Sequence, residues 1–157
     1  MREILFRGRR KDNGEWVHGY YVCLHDDKSH KSHRIYPGHA ESDCGDFYPD
    51  WFEIDPNTIG QYIGLKDKHG EYIFEGDTLR VTYTSGKYDF DTRVFSEALT
   101  TEVGAIRITP LGLIVDTVEE AIYMWEILPD PWACLEVIGN IHDDPELEEG
   151  DDHDDSA

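Results

Sequence analysis

The sequence lacks the motifs that mark common catalytic and cofactor sites. It contains no P-loop, GxSxG, HExxH or EF-hand pattern, each of which sets nucleotide-binding, nucleophilic or metal-binding groups at a fixed spacing. Its three cysteines, Cys23, Cys44 and Cys134, form no CxxC pair, a pattern typical of reduced thiols in a cytosol. These absences favour a protein without enzymatic activity and without a cofactor.

Long apolar runs are also missing. No stretch approaches the roughly 18 apolar residues of a membrane span, and the residues after Met1 alternate charged with apolar side chains instead of forming a signal-peptide core. The sequence therefore predicts a cytoplasmic protein that does not enter a membrane.

Cationic residues are scarce. The 157 residues contain 14 Lys and Arg against 34 Asp and Glu, a formal net charge of −20. This charge argues against direct nucleic-acid binding, because affinity for DNA comes largely from cations that displace condensed counterions. Nine of the acids lie in residues 143–157, which predicts a disordered, solubilising acidic tail. The alternative is an acidic surface that mimics DNA.

The chain is nevertheless rich enough in apolar and aromatic side chains to fold. Hydrophobic residues make up 39% of it, with 4 Trp, 9 Tyr and 6 Phe, and aromatic residues favour strands. Near the N-terminus, Asn13-Gly14 lies between two strand-like runs and predicts an antiparallel hairpin. The cations that surround this turn, Arg7, Arg9, Arg10 and Lys11, are interpreted as a solvated group that pairs with local acids. Contact with a nucleic acid or an acidic partner is the alternative.

Residues 25–50 are polar and irregular, and they read as an insertion. Histidines and a cysteine are scattered through this segment: His25, His30, His33, His39 and Cys44. A structural zinc site needs four N or S ligands, usually in two close pairs, and only His30 and His33 are close in sequence. These two residues are weak metal candidates, and no native metal is expected.

The stretch from 58 to 81 organises the rest of the chain. Apolar residues in 59–65 and 72–74 flank a polar loop that ends at Gly70, which predicts a β-hairpin with a positive φ at that glycine. The next turn is Glu75-Gly76-Asp77, where a glycine that adopts a positive φ and a capping aspartate predict a structural role. The alternative is a carboxylate pair that holds a cation or a partner amine.

The C-terminal half predicts more strands and one helix. We expect a turn at 84–87, a strand at 88–95, a strand at 102–108 with a bulge at Gly104, and a closing strand at 135–141. Thr117 and Glu120 form a capping-box pattern, and Val118, Ile122 and Trp125 repeat at helical spacing. These features predict one short helix over 116–125.

Three segments resemble one known family. The opening MREILFRGR, the central IGQYIGLKDKHGEYIFEGDTLRV and the late LEVIGNIHDDPEL are similar to the YopX family of phage and prophage proteins, in the same order along the chain. The resemblance implies a β-rich fold with an SH3-like barrel and a phage-encoded protein in the bacterial cytoplasm, but it implies no activity, because the family is biochemically uncharacterised. The segment 25–50 and the acidic tail depart from the family pattern.

Together these observations predict a mainly β protein with an N-terminal β-hairpin lobe at 1–57, an SH3-like barrel at 58–142 and an acidic tail at 143–157. The function that we expect is a phage accessory role exerted through contact with a host or phage protein. An acidic DNA mimic or inhibitor of a host nucleic-acid enzyme, and a small hydrolase, are the alternatives. Homo-oligomerisation stays open.

Overall fold

A computed structural model describes residues 3–25, 30–37 and 51–143. By its internal contacts the chain divides into two units, Met1–Gly64 and Leu65–Ala157. The protein is mainly β, as the sequence predicted, with two antiparallel sheets. The division falls inside a strand, whereas the sequence placed a domain boundary between residues 57 and 58. That earlier boundary and the three-part division stay predictions.

The first unit contains the strands β1 (Phe6–Arg9), β2 (Trp16–His25), β3 (Lys31–Tyr36), β4 (Phe52–Glu53) and β5 (Gly60–Lys66), whose last two residues belong to the second unit. The sheet has the order β4-β3-β2-β1-β5-β6, where β6 (Tyr72–Phe74) lies in the second unit. β1 and β2 form the predicted N-terminal hairpin, and Gly14 in its turn has a φ of 73°, a conformation that glycine adopts without a Cβ penalty.

Part of the segment 25–50, which the sequence suggested was an irregular insertion, forms a β-strand. Residues 31–36 form β3, which pairs with β2 on one side and with β4 on the other. Ile35 on this strand and Ile54 just beyond β4 are both completely buried. The polar composition of 25–50 hid this strand, because a single buried isoleucine gives too weak an alternation to show a half-buried strand.

The second unit contains a five-stranded sheet. Its strands are β7 (Asp77–Asp89), β8 (Val94–Thr109), β9 (Gly112–Thr117), β10 (Ala121–Tyr123) and β11 (Cys134–Asn140), in the order β10-β9-β8-β7-β11. The sheet is open, so the predicted SH3-like barrel is not confirmed. The predicted closing strand is present as β11, which pairs with β7 and has a register shift between Val137 and Gly139.

The buried residues of this unit come from several strands and from the one helix. Completely or almost completely buried apolar side chains are contributed by Ile73, Leu79, Val81, Ile106, Val115, Met124 and Ile127. Leu79 and Val81 are two residues apart, so they occupy one face of β7. That face is the core side of the sheet, as the alternation of the sequence indicated.

The predicted helix over 116–125 is wrong in position. The only α-helix in the described residues is α1 (Met124–Ile127), and residues 112–123 form the hairpin of β9 and β10 instead. The Thr117 hydroxyl accepts a hydrogen bond from the Glu120 amide and donates one to its carbonyl, so the pattern read as a capping box closes a β-turn. Four residues cannot cross a membrane, so none of the described residues forms a membrane-spanning helix.

Three further predictions fail in the second unit. The strand expected at 88–95 is interrupted, because residues 90–93 form the turn between β7 and β8. The turn expected at 84–87 is absent, because β7 continues through this segment to Asp89. Gly104 forms no bulge, since the pairing of β8 with β7 and β9 runs through it without a shift. A Cβ at residue 104 would lie only 2.4 Å from the Asp116 carbonyl oxygen, so close backbone approach explains this glycine.

Candidate functional site

β7 and β8 form a long antiparallel ribbon, of which only one end is part of the wider sheet. The two strands pair from Thr78 with Ala105 to Asp89 with Val94. β11 covers β7 only as far as Thr82, and β9 covers β8 only from Gly104 onward. In the part of the chain that the structure describes, residues 83–103 therefore form a two-stranded extension, which we call the arm.

The arm exposes large apolar side chains. Leu99 is 68% exposed, Phe95 58% and Val103 38%. All three are odd-numbered residues of β8, so they lie on one face of the ribbon. Val103 pairs with Arg80, whose side chain alternates with the buried Leu79 and Val81, so this face is the one turned away from the core.

A sheet face of this kind needs an explanation. A two-stranded ribbon is marginally stable in water without a further layer or strand. On this face three exposed apolar side chains alternate with Glu97 and Thr101, so a partner that lies along the ribbon would cover all three. The stripe formed by Phe95, Leu99 and Val103 is therefore the candidate functional site.

Local interactions stiffen the arm. The Asp89 carboxylate accepts hydrogen bonds from the amides of Thr92 and Asp91, and these bonds lower the pKa of Asp89. They fix the turn at residues 90–93, where Arg93 has a φ of 58°, an uncommon conformation for a residue with a Cβ. At the tip of this turn Phe90 is 84% exposed.

A glycine within the arm is covered by an aromatic ring. A Cβ at Gly86 would lie 2.3 Å from Cζ of Phe95, so the ring lies directly over the glycine backbone. This contact replaces the packing that a side chain at residue 86 would supply in a strand. Gly86, which suggested a turn in the sequence, thus leaves room for the Phe95 ring to pack on the backbone of the ribbon.

The point where the arm leaves the sheet is held by Asp130. Its carboxylate accepts hydrogen bonds from the amides of Thr84 and Trp132, and these bonds lower the pKa of Asp130. The Thr84 amide lies just past Thr82, the last β7 residue that pairs with β11. Asp130 therefore caps this edge of β7 at the base of the arm.

The Glu75-Gly76-Asp77 turn lies at the other end of the ribbon. Gly76 has a φ of 85°; its amide donates to the Ile106 carbonyl and its carbonyl accepts from the Ile141 amide, both at 2.9 Å. The Asp77 carboxylate, which is buried, accepts from the Phe74 amide at 2.8 Å, and Glu75 accepts from the Ile108 amide at 3.2 Å. Both carboxylates are thus bound to backbone amides, a geometry that favours the structural interpretation over a cation site.

The loop that ends at Gly70 is organised by a buried aspartate. Gly70 has a φ of 86°, and Asp67 Oδ1 accepts hydrogen bonds from the amides of His69 and Glu71. Its other oxygen lies 3.3 Å from the Val137 amide on β11. Burial acts to raise the pKa of Asp67, but these amides outweigh it and the pKa is lowered. Asp67 is not among the residues predicted from the sequence to have a special role, although an aspartate at the start of a polar loop is a recognised turn signal.

Near this loop, one carboxylate forms ion pairs with two cationic side chains and lies close to a histidine. Glu136 on β11 forms ion pairs of 2.9 Å with both Lys68 and Arg80, and His69 Nε2 lies 3.7 Å away. The pairing with Lys68, followed by that with Arg80, lowers the pKa of Glu136. Arg80 is thus fixed beside Val103, at the start of the apolar stripe.

Among the described residues, the weak metal candidates His30 and His33 form no metal cluster with other ligands. His33 lies on β3, where its Nδ1 is hydrogen bonded to the Tyr21 hydroxyl and its ring stacks on that of Tyr21. His30 precedes the strand. No group of three or more His, Cys, Asp or Glu side chains suited to a metal occurs among the described residues. His39 and Cys44 lie outside those residues, as does the predicted tail beyond Asp143.

Two of the four basic residues near the N-terminal turn pair with local acids, as predicted. Arg10 pairs with Asp12, and Lys11 pairs with Glu53 at 2.8 Å. The guanidinium groups of Arg7 and Arg9 lie 4.6 and 5.1 Å from the centre of the Trp16 ring, within the range of cation–π attraction. The predicted pairing with local acids thus holds for Arg10 and Lys11, whereas the contacts of Arg7 and Arg9 with Trp16 were not predicted.

By its fold the protein is an all-β protein with two open antiparallel sheets and a protruding ribbon. The model of the YopX protein family matches residues 5–149, so this chain belongs to the YopX family. The match confirms the resemblance found in the three sequence segments.

Curated proteins and solved structures give two further comparisons. No curated protein matches the sequence. Among solved structures, the chain is similar to the crystal structure of protein EF1440 from Enterococcus faecalis, with 25% sequence identity and a TM-score of 0.51. That match covers 95% of this chain and 100% of the other, so the likeness spans both units.

Proposed function

We propose that this chain is a phage or prophage accessory protein that acts in the bacterial cytoplasm by binding other proteins and catalyses no reaction itself. The apolar stripe of the arm is the observation that carries the proposal. Phe95, Leu99 and Val103 are exposed on a ribbon that extends beyond the sheet, and desolvation of such side chains is a main source of affinity in protein interfaces. Family membership supports the phage setting. We also propose that the fold is related to SH3-like barrels, as the resemblance to the family implied.

The state of the carboxylates agrees with a binding role. A general acid needs a raised pKa, whereas Asp67, Asp89 and Asp130 accept backbone hydrogen bonds and have lowered pKa values. These three groups stabilise turns and strand ends in their ionised form. The hydrolase alternative therefore gains no support from them.

A capture experiment from a bacterial lysate tests the proposal. The tagged full-length chain should retain specific proteins, and Leu99→Ser should reduce their recovery about tenfold, because it removes the most exposed side chain of the stripe. The matched control is Leu111→Ser, which changes a 72% exposed leucine at the β8–β9 turn of the same unit and should leave recovery unchanged. Recovery of nothing above background, together with turnover in a metabolite screen, would refute the proposal.

The acidic DNA mimic is a second candidate, supported by an uneven distribution of charge. The described residues of the first unit contain six Lys or Arg against five Asp or Glu, whereas those of the second contain six against fifteen. A mimic should compete with duplex DNA for a host DNA-binding protein and lose this competition as salt is added. A salt-independent interaction would exclude the mimic and leave the apolar stripe as the binding element.

A further inference from the structure

The arm has an open edge on β8. Residues 104–109 of this strand pair with β9, but in the portion of the chain that the structure covers no strand lies beside residues 94–103 on that side. An open strand edge presents a row of backbone donors and acceptors and is a template for another strand. The open edge is ten residues long, which exceeds the usual length of a whole strand.

Backbone contacts establish which residues face this edge. The Ile106 carbonyl accepts from the Gly76 amide, and the Ile108 amide donates to the side-chain carboxylate of Glu75; both partners lie one or two residues before β7. The even-numbered residues of β8 therefore direct their backbone groups toward β7. Because these directions alternate along a strand, the odd-numbered residues from 95 to 103 direct theirs to the open edge.

The side chains along this edge are arranged symmetrically about Leu99. Four residues before it is Phe95 and four after it is Val103, while Glu97 and Thr101 lie two residues to either side. In an antiparallel pairing of two identical strands centred on Leu99, Leu99 faces its own copy and Phe95 faces Val103 of the other copy. Glu97 then faces Thr101 and Glu102 faces Ser96, so no carboxylate opposes another.

Neighbouring registers are worse. A shift to a centre at residue 98 would place Leu99 opposite Glu97, and a centre at residue 100 would place Val103 opposite Glu97. Registers centred between two residues would oppose an odd-numbered to an even-numbered residue, whose backbone groups point in opposite directions and cannot bond. A centre at residue 97 would oppose two Glu97 side chains, and a centre at residue 101 would pair only residues 99–103, because β9 covers β8 beyond them. The register centred on Leu99 pairs the whole open edge, brings apolar side chains together and opposes no like charges, which is what stabilises cross-strand pairs.

We propose that two copies of this chain associate through this edge, with the β8 strands antiparallel about a two-fold axis at Leu99. The inference rests on the proposed role of the arm as an interaction surface and names a second copy as its occupant. It creates a four-stranded ribbon, β7-β8-β8-β7, with on the order of ten new backbone hydrogen bonds. The apolar stripes of the two arms lie on the same face of that ribbon.

Charge makes the association depend on salt. Each chain carries a formal charge of −20, so two copies repel each other at long range. Added salt screens this repulsion, whereas the backbone bonds and apolar contacts of the edge are less sensitive to it. The dimer should therefore strengthen as sodium chloride is added, the opposite of an association driven by opposite charges.

Disulfide trapping tests the register directly. Residues directly opposite each other in an antiparallel pair have Cα atoms about 4.5–5.5 Å apart, which is within the range of a disulfide. Leu99→Cys should therefore give a covalent dimer under mild oxidation, with peptide mapping showing a bond between the two substituted positions. The wild-type chain, with its three native cysteines, is oxidised in parallel as the baseline.

The matched controls use the residues two positions away. Glu97→Cys and Thr101→Cys should each fail to cross-link alone but should cross-link when the two variants are mixed, because residue 97 faces residue 101 of the other copy. Efficient self-linking of Glu97→Cys, or no linking of Leu99→Cys above the wild-type baseline, would overturn the proposed register and edge.

Solution mass completes the test. In light scattering, the wild-type chain should shift toward dimer with concentration, and Leu99→Arg should weaken that shift about tenfold by placing like charges on the axis. Phe90→Arg, at the arm tip outside the paired segment, should leave it unchanged. A purified chain that is monomeric throughout overturns the dimer but not the binding of another protein, whereas an intact dimer with an empty lysate capture overturns only the proposed function.

Discussion

The two ends of the β7–β8 ribbon have the same secondary structure and opposite burial. At its base, where β9 and β11 extend the sheet, Leu79, Val81 and Ile106 are completely buried. In the arm the same two strands continue in the same register, yet Val94, which lies on the same face of β8 as Ile106, is 55% exposed. Strand pairing alone therefore buries little apolar surface, and the two ends should respond differently to the same substitution.

The largest expected difference is between two leucines of this ribbon. Leu79→Ala at the base should lower the free energy of unfolding by about 2–5 kcal/mol, because it leaves a cavity in the core. Leu99→Ala in the arm should change it by less than about 0.5 kcal/mol, as is usual for exposed positions. Urea unfolding of the two variants at a low protein concentration measures both values. Similar costs would show that the arm is packed against something in the isolated chain.

Gly76→Ala tests the turn at the base of the ribbon. With a φ of 85°, a Cβ should cost about 1–2 kcal/mol of stability, even though the nearest atoms, in Ile141, would be 3.5 Å away. Glu75→Gln and Asp77→Asn keep the backbone and are the controls, which should cost less. Equal stability of the wild type and Gly76→Ala would show that this turn does not constrain the fold.

Two aspartates with lowered pKa values should contribute differently to the pH dependence of stability. Asp67 is buried in the loop beside β11, whereas Asp89 lies in the exposed turn of the arm. The folded-state pKa of Asp67 is lowered, so its ionised form stabilises the protein above the unfolded pKa of about 3.9, and this contribution is lost as the pH falls through the folded value. Asp67→Asn should therefore be less stable than the wild type at neutral pH, and the difference should shrink on acidification.

Asp89 in the turn of the arm is the matched control, since its pKa is also lowered but its surroundings are exposed. Asp89→Asn should leave the global pH profile of unfolding nearly unchanged. A constant difference between Asp67→Asn and the wild type at every pH would contradict the ionised role assigned to Asp67.

Thr78→Val should stabilise the base. Thr78 is 2% exposed, and its hydroxyl has no hydrogen-bond partner among the described residues, so replacement by a methyl group of similar shape should gain about 1 kcal/mol. Thr101→Val in the arm, where the hydroxyl contacts that of Thr82, is the comparison and should gain nothing. A loss of stability in Thr78→Val would show that the hydroxyl is bonded after all.

The smallest expected effect is in the turn of the arm. Arg93→Gly removes the Cβ at a φ of 58° and should be neutral or stabilise the arm by up to about 1 kcal/mol. Because we expect the exposed arm to open more readily than the buried base, the gain should appear in local amide exchange rather than in global unfolding. A destabilised arm would mean that the Arg93 side chain makes a necessary contact.

The sequence predicted those elements whose signals are local. Asn13-Gly14, Gly70 and Gly76 marked turns correctly, because glycine at a positive φ leaves a sharp signature, and the alternation in 78–83 indicated which face of β7 is buried. The pattern of Thr117 and Glu120 gave a wrong prediction. The hydrogen bond from the Glu120 amide to the Thr117 hydroxyl can begin a helix, but it can also close a β-turn. Tertiary pairing with β9 decided between the two structures.

The candidate site was missed for a related reason. Gly86 was interpreted as a turn, which divided the arm into two separate pieces, because nothing in the sequence shows that the Phe95 ring lies over that glycine. The spacing of Phe95, Leu99 and Val103 was visible in the sequence, but it does not say whether the stripe faces a core or solvent. The pairing of Val103 with Arg80 in the structure shows that the stripe lies on the face opposite the buried Leu79 and Val81.

Amide hydrogen exchange of β8 at two protein concentrations tests the central claim most directly. The Ile106 amide at the base should exchange only through global unfolding and be unaffected by concentration. The Leu99 amide, which faces the open edge of the arm, should exchange fast in dilute protein and become protected when the protein is concentrated. Protection of Leu99 equal to that of Ile106 in dilute protein, or fast exchange of Leu99 at both concentrations, would contradict the account.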